Sequence, residues 1–128
     1  MNEPIFLTLD EVLCIHARSL AEHGGSDGTR DPGLLESALA SAKNTFYYAR
    51  GDLFAVAASY AFHLAESQAF IDGNKRTAVV AAMVFLARNG VYARLATWEL
   101  YSAMIDMAEK KKNKADLAEL FRKCAHKA

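Results

Sequence analysis

Residues 68–77 bring an amide, a carboxylate and two cations close together, in the order Gln-Ala-Phe-Ile-Asp-Gly-Asn-Lys-Arg-Thr. We expect a helix to begin inside this run, so that the backbone N–H groups of residues 73–75 lie at its N-terminus. Unpaired N–H donors and the positive end of the helix dipole together attract anions. Lys75 and Arg76 add two positive charges, and a guanidinium holds a phosphate through two parallel hydrogen bonds. The run therefore predicts a phosphate site.

Asp72 extends this prediction to a metal ion. Its carboxylate lies just before the predicted anion site, where it could hold a Mg²⁺ that bridges phosphate oxygens. Phe70 is expected to point inward and anchor the turn. A simpler interpretation stays open, in which Asp72 only caps the helix and Lys75 and Arg76 are solvated surface charges.

The two helices on either side of this run must position it. Asp52 is the predicted N-cap of a helix over residues 53–67, and the next helix is predicted from Asn74 to Asn89 with Gly90 as its C-cap. Both are apolar on nearly every face, which is typical of helices buried on most sides. A charged turn between two such helices is costly unless it has a function.

Four outer helices are predicted around this central pair. Capping patterns and helix breakers give their bounds. The first helix begins at the capping box Thr8-x-x-Glu11 and ends at His23, before Gly24-Gly25. The other three begin at Asp31-Pro32, Thr97 and Asn113, and the last of them ends near His126. Residues 91–95 are expected to be extended without an obvious partner strand, and residues 46–48 to form a connector. The prediction is one all-α domain over residues 1–128, a compact bundle of about six helices around two central buried ones.

Composition narrows the class of protein further. The chain has 128 residues, 52% of them hydrophobic and 23% charged, which excludes intrinsic disorder. Fifteen Lys and Arg balance fifteen Asp and Glu, which argues against binding nucleic acid directly or coating an anionic membrane. This neutral total hides a division: residues 1–74 carry four basic against ten acidic side chains, and residues 75–128 carry eleven against five.

The sequence also suggests a compartment. Cys14 and Cys124 are the only cysteines, and two isolated thiols fit a reducing environment better than a disulfide framework or a zinc site. The first ten residues are acidic, unlike a signal peptide. The longest apolar run, residues 78–87, is too short to span a membrane. We therefore expect a cytoplasmic protein with no membrane association.

The run from Phe70 to Arg76, Phe-Ile-Asp-Gly-Asn-Lys-Arg, resembles the active-site loop of the Fic/Doc family in its Doc (death-on-curing) branch, His-x-Phe-x-Asp-Gly/Ala-Asn-Lys-Arg. The larger Fic branch has Gly where Lys75 stands. Residues 24–39 resemble the N-terminal segment of Doc-like proteins, and Phe-Leu-Ala-Arg-Asn-Gly at residues 85–90 matches the end of their post-motif helix. The resemblance covers roughly residues 5–95.

The resemblance implies a helical domain that binds a nucleotide such as ATP at this loop. Fic enzymes transfer AMP to protein hydroxyls, whereas Doc-type toxins are kinases that phosphorylate a threonine of elongation factor Tu. It also implies an antitoxin of the Phd type, whose C-terminal helix inserts into a groove. Carried over residue by residue, Asp72 takes the Mg²⁺ role, Arg76 holds a phosphate and Phe70 is the buried anchor. Gly73, Asn74 and Lys75 form the anion cradle.

Gln68 departs from the family pattern at its most important position. The family's catalytic histidine, the general base for the target hydroxyl, falls here. Glutamine cannot accept a proton near neutral pH, although it can orient a hydroxyl by hydrogen bonding. Losing a general base lowers a rate by roughly 10²–10⁴-fold. Two hypotheses follow: a weakened Doc-like transferase that uses Gln68, Asp72, Lys75 and Arg76, or a silent protein that binds a nucleotide or a partner.

Other side chains are predicted to be structural. His63 lies five residues before Gln68, about 140° around the helix, so it should point elsewhere and pack in the core. Glu66 should lie on the helix exterior. Surface positions are predicted for His16 and His23, and core packing for Trp98 and Tyr101. The glycine-rich loop beside His23 is a candidate flap for docking a target.

Overall fold

The computed structural model describes residues 2–94 and 97–127, and these residues form six helices and two short strands. In chain order they are α1 (Leu9–His23), α2 (Pro32–Tyr47), α3 (Leu53–Ser67), α4 (Asn74–Arg88), β1 (Val91–Ala93), α5 (Thr97–Ala108), α6 (Lys114–Lys123) and β2 (Ala125–Lys127). The predicted all-α bundle of about six helices is confirmed.

Four helices, α1, α2, α3 and α6, begin where polar side chains satisfy their first backbone N–H groups. Thr8 and Glu11 form the predicted capping box at α1, with hydrogen bonds of 3.2 and 2.9 Å. Asp31 accepts from the backbone N–H groups at the start of α2, and Asp52 does the same for α3. Asn113 caps α6 with a second capping box. Because each cap uses neighbouring residues, the sequence alone predicts these starts.

Helices α3 and α4 form the centre of the bundle, as predicted. α3 packs against α2, α4 and α6, and α1 lies against α4. Several alanines on α3 and α4 are fully buried, which lets the neighbouring helices approach closely. Tyr60 is also buried, its hydroxyl accepts a 3.0 Å hydrogen bond from the Leu7 N–H, and burial raises its pKa to about 12. The loop between α3 and α4 is therefore attached at both ends to a buried helix.

The C-terminal segment corrects two predictions. α6 ends at Lys123 rather than near His126, because the next residues form β2 and pair antiparallel with β1, Tyr92 opposite His126. The predicted extended segment after α4 thus does have a partner strand. A three-residue strand carries no readable periodicity, and its partner lies more than thirty residues away in sequence, so local patterns could not reveal the pairing.

Two aromatic predictions are also wrong. Phe46 and Tyr47 belong to α2 rather than to a connector, and the Phe46 ring lies 6.0 Å from that of Phe6. Trp98 is 72% exposed instead of packed on the core, while Tyr101 is half-buried as expected. The buried face of α5 is formed by Leu100, Ala103, Met104 and Met107. Trp98 lies two residues before this stripe, about 200° around the helix.

Residues 110–114, Lys-Lys-Lys-Asn-Lys, form a basic run after α5, and Lys110 to Lys112 lie in an exposed turn. Lys111 pairs with Glu109 at 2.9 Å and Lys112 with Asp106 at 3.8 Å, so acidic neighbours partly balance its charge. Within the described ranges, no helix is both long and apolar enough to cross a membrane.

Candidate active site

The motif loop, residues 68–73, joins α3 to α4 through two left-handed backbone positions. Gln68 ends α3 with φ 48°, and Gly73 precedes α4 with φ 79°. A non-glycine residue in this region is uncommon and occurs where the surrounding structure enforces it. The two turns bring the loop across the N-terminus of α4.

Asn74 and Phe70 fix the shape of the loop. The Asn74 Oδ1 accepts from the Phe70 N–H at 3.0 Å, and its Nδ2 donates to the Phe70 carbonyl at 2.9 Å. Phe70 is only 2% exposed, so its side chain points inward, and its role as an anchor stays a prediction. The side chain of Asn74 thus braces the loop, a role beyond its predicted place in the anion cradle.

The glycine-rich segment, residues 24–31, borders the motif loop. The Arg30 N–H donates to the Ala69 carbonyl at 2.7 Å, and the Ile71 N–H donates to the Gly28 carbonyl at 3.1 Å. Gly28 has φ 124°, a backbone conformation that residues with side chains rarely adopt, so glycine suits this position. The segment lies where a flap would, and target docking by it stays a prediction.

Asp72 is exposed, and backbone donors hold its carboxylate on both sides. Oδ2 accepts from the Ser26 N–H at 3.2 Å and Oδ1 from the Gly73 N–H at 2.8 Å. Both hydrogen bonds lower the pKa of Asp72 below its ordinary value, and the bond from Ser26 has the larger effect. The carboxylate is therefore ionised at neutral pH. Each oxygen has accepted one hydrogen bond, so lone pairs remain for a cation.

The cationic part of the site is the first turn of α4. Gly73, the N-cap residue of α4, offers no side-chain cap, and its own N–H, predicted for the anion cradle, already donates to the preceding carboxylate. Lys75 is exposed, whereas Arg76 is half-buried and reaches towards α1. Its Nε donates to the Ser19 Oγ and its Nη2 to the Gly24 carbonyl, each at 3.1 Å. Two of the five guanidinium N–H donors are used in this way, and the others remain for an anion.

An open cavity of about 320 Å³ collects most of the predicted residues, with this lining: Ala65, Gln68, Ile71, Asp72, Gly73, Asn74, Lys75 and Arg76. A smaller cavity of about 140 Å³ shares Ala65, Gln68 and Lys75 with it and is otherwise mainly apolar, lined by Phe62, Met104, Met107 and Ala108 beside Glu66. The larger cavity, lined mostly by polar residues, thus adjoins the smaller and more apolar one. Phe70 lies beneath the loop and lines neither.

The sequence prediction misplaced one histidine at this site. His16 was expected on the surface but is 4% exposed, with its ring stacked 3.7 Å from that of Phe70. Its position four residues after buried Val12 and three before buried Ser19 was a usable signal of an inward face. His23 lies on the surface, as predicted.

His63 lies outside the larger cavity, as predicted. It is half-buried and its Nε2 is 3.0 Å from the Lys114 Nζ. Two effects lower the pKa of His63 and favour the neutral ring: its burial, which is the larger effect, and the positive charge of Lys114. Glu66 is exposed on α3 and lines the smaller cavity but not the larger one. Neither side chain replaces the motif histidine at Gln68.

Comparison with known proteins agrees with this geometry. The model of the Fic/DOC family matches residues 6–86. The chain is 37% identical over 83 residues to "Protein kinase doc" of Escherichia phage P1, covering 64% of this chain and 66% of that protein. It is 44% identical over 87 residues to "Toxin Doc" of Mycolicibacterium smegmatis, covering 65% of each. The matches span just under two thirds of each relative's length. The chain belongs to the Fic/Doc family.

Proposed function

We propose that this chain is a Doc-like toxin of a toxin–antitoxin pair, which uses ATP or another nucleotide and Mg²⁺ to transfer a phosphoryl group to a protein hydroxyl. The observation that carries the proposal is the convergence of Asp72, Lys75, Arg76 and the open end of α4 on one cavity. The names of the two relatives, a protein kinase and a toxin, support it.

The phosphates of the nucleotide fit the cationic end of this cavity. Backbone N–H groups and the helix dipole attract negative charge there, and Lys75 and Arg76 add two cations. Their positive charge in a first helical turn opposes the dipole, so a bound anion relieves that repulsion. The adjoining apolar cavity, with Met104 and Met107, has the character that a flat base or ribose face needs.

The residues present fit a magnesium ion. The Asp72 carboxylate is ionised, exposed and only partly satisfied. Within the described part of the chain, no group of three or more His, Cys, Asp or Glu side chains could form a full protein cage. One carboxylate suits Mg²⁺, which keeps waters and takes further ligands from substrate phosphates. When bound, the ion neutralises charge on those phosphates.

In the proposed reaction, the target hydroxyl oxygen bonds to the γ-phosphorus and the bond from that phosphorus to the β-bridging oxygen breaks. ADP leaves, and the hydroxyl proton passes to solvent because Gln68 cannot take it. The oxygen of the Gln68 side-chain amide orients the hydroxyl by accepting its hydrogen bond. Positioning and charge neutralisation supply most of the catalysis of phosphoryl transfer, so weak turnover persists without a base.

A second candidate function is a silent protein that binds a nucleotide or a partner in the same cavity. Gln68 itself favours it, because no histidine lines the larger cavity in the described residues. The two candidates share the cradle and differ only in turnover.

The experiment compares the wild type with Gln68→His and Gln68→Ala, using ATP labelled at the γ- or the α-phosphate. Purified elongation factor Tu and a cell lysate serve as targets. We expect weak γ-label transfer by the wild type, about 10²-fold faster transfer by Gln68→His, and less by Gln68→Ala. Asp72→Ala in the Gln68→His background controls for the site and should abolish labelling.

Other outcomes change the conclusion. Labelling by Gln68→His alone indicates the silent protein, and transfer of the α-label indicates a nucleotidyl transferase. No labelling by any variant would contradict the enzymatic function. An antitoxin of the Phd type is the proposed partner, and co-expression with it should relieve any growth arrest that the wild type causes.

A further inference from the structure

His16 is a buried side chain in direct contact with the motif loop, and the proposed reaction gives it no role. It lies on the inward face of α1, and its ring is nearly parallel to that of Phe70, at 6° and 3.7 Å between centroids. Its Nε2 lies 2.8 Å from the backbone carbonyl oxygen of Asp72. A carbonyl can only accept a hydrogen bond, so the proton must be on Nε2.

This bond gives Asp72 a third anchor. Its carboxylate is held by the N–H groups of Ser26 and Gly73, and its carbonyl is held by His16. The carbonyl carbon and Cβ are both bonded to the Asp72 Cα, so holding the carbonyl narrows the range of directions open to the carboxylate. The stack on Phe70 in turn fixes the imidazole.

The same helix supplies the neighbouring contacts. Ser19, three residues after His16, accepts from Arg76, and Gly24 at the end of α1 accepts from the same guanidinium. A Cβ on Gly73 would lie 3.6 Å from the His16 ring, which shows how closely the ring packs beneath the start of α4. α1 thus serves as the support of the motif loop, with His16 at its centre.

We propose that His16 is the positioning residue of Asp72. Its Nε2–H holds the Asp72 carbonyl, and this hydrogen bond directs the carboxylate towards the larger cavity. The consequence for metal and nucleotide rests on the proposed function. The positioning itself concerns contacts within the chain and can be tested without any ligand.

The test separates the hydrogen bond from the aromatic stack. His16→Phe keeps an aromatic ring against Phe70 but removes the donor, whereas His16→Gln keeps a donor near the Nε2 position and removes the ring. His23→Gln, at an exposed position on the same helix, is the matched control. Thermal unfolding of each variant reports the general loss of stability.

Amide exchange measured by NMR is the ligand-free readout. In His16→Phe we expect the N–H groups of Ser26 and Gly73 to exchange at least about threefold faster, and in His16→Gln to stay near the wild-type rate. Calorimetry with ATP should show about tenfold weaker binding for His16→Phe with Mg²⁺ and little change without it. His16→Gln should recover most of that affinity.

Three results would overturn the proposal: unchanged Ser26 and Gly73 exchange in His16→Phe, equal losses in the two variants, or an Nδ1–H tautomer of His16 in the nitrogen NMR spectrum of the wild type. The last measurement needs no variant and so does not depend on folding of the substituted chains. Failure of the wild type to bind ATP with Mg²⁺ would instead refute the proposed function, and the exchange comparison would still decide the role of His16.

Discussion

At the scale of single residues, the site depends on close approaches that only glycine permits. Gly25 has φ 121°, and a Cβ there would lie 2.7 Å from the Asp72 Oδ2. The Asp72 carboxylate can reach the Ser26 N–H only because nothing projects from Gly25. The glycines between α1 and α2 therefore do more than break a helix, since they shape the surroundings of the candidate metal ligand.

Gly25→Ala should consequently weaken binding of ATP with Mg²⁺ by about tenfold, because the new methyl group displaces the Asp72 carboxylate and breaks a charge-assisted hydrogen bond. Gly24→Ala is the matched control: its φ is also positive, at 77°, but no atom lies within 4 Å of the added Cβ. Both variants carry backbone strain of about 1 kcal/mol or more. Calorimetry and thermal unfolding separate the two effects, and equal losses of affinity would contradict this account.

At the scale of elements, α1 is attached to α4 at both of its ends. Its C-terminal half contacts the motif loop and Arg76, while Glu11 in its first turn forms an ion pair with Arg88 in the last turn of α4. The Arg88 hydrogen bond, followed by that from the Thr8 N–H, lowers the pKa of Glu11 from 4.5 to about 2. The attachment of α1, which supports the motif loop, thus includes an ion pair, between Glu11 and Arg88, that is lost in acid.

Glu11→Gln tests this contact, since glutamine keeps the capping box at Thr8 while removing the charge. A carboxyl whose pKa is depressed in the folded state stabilises the protein above its unfolded pKa, and the stabilisation is lost as the pH falls through the folded pKa. The variant should therefore be less stable than the wild type at pH 7. The difference should shrink between about pH 4.5 and pH 2.

Urea denaturation across this range measures the effect. Glu22→Gln, which removes a carboxylate from an exposed pair with Arg18 on the same helix, is the control and should change stability little at any pH. A Glu11→Gln difference that stays constant with pH would show that packing, rather than charge, accounts for the loss.

At the scale of the whole molecule, what the sequence predicts depends on whether the determining contacts are local. Asp31 and Asp52 cap helices through residues two or three positions away, and the motif turn follows from neighbours such as Gly73 and Asn74. Spacing within α1 indicates that His16 faces inward, but its partners in the motif loop and the pairing of β1 with β2 lie far away in the chain. No local pattern carries that information, so the site's support had to come from the structure.

The pairing of β1 with β2 lies at the opposite end of α4 from the candidate site. β1 begins three residues after α4 ends, and the fifteen residues of α4 span about 22 Å. Removing the chain from Ala125 onward deletes β2 and the ladder with residues 91–93. We expect this truncation to lower the free energy of unfolding by about 1–2 kcal/mol, since a few hydrogen bonds are lost.

Binding of ATP with Mg²⁺ should remain within about twofold of the full chain, because distant and independent sites contribute additively. Urea denaturation and calorimetry on the same preparation check both parts. If the truncated chain loses affinity as well as stability, α4 transmits the disturbance along its length. The support of the motif loop would then extend beyond α1 to the strand pair at the far end of the bundle.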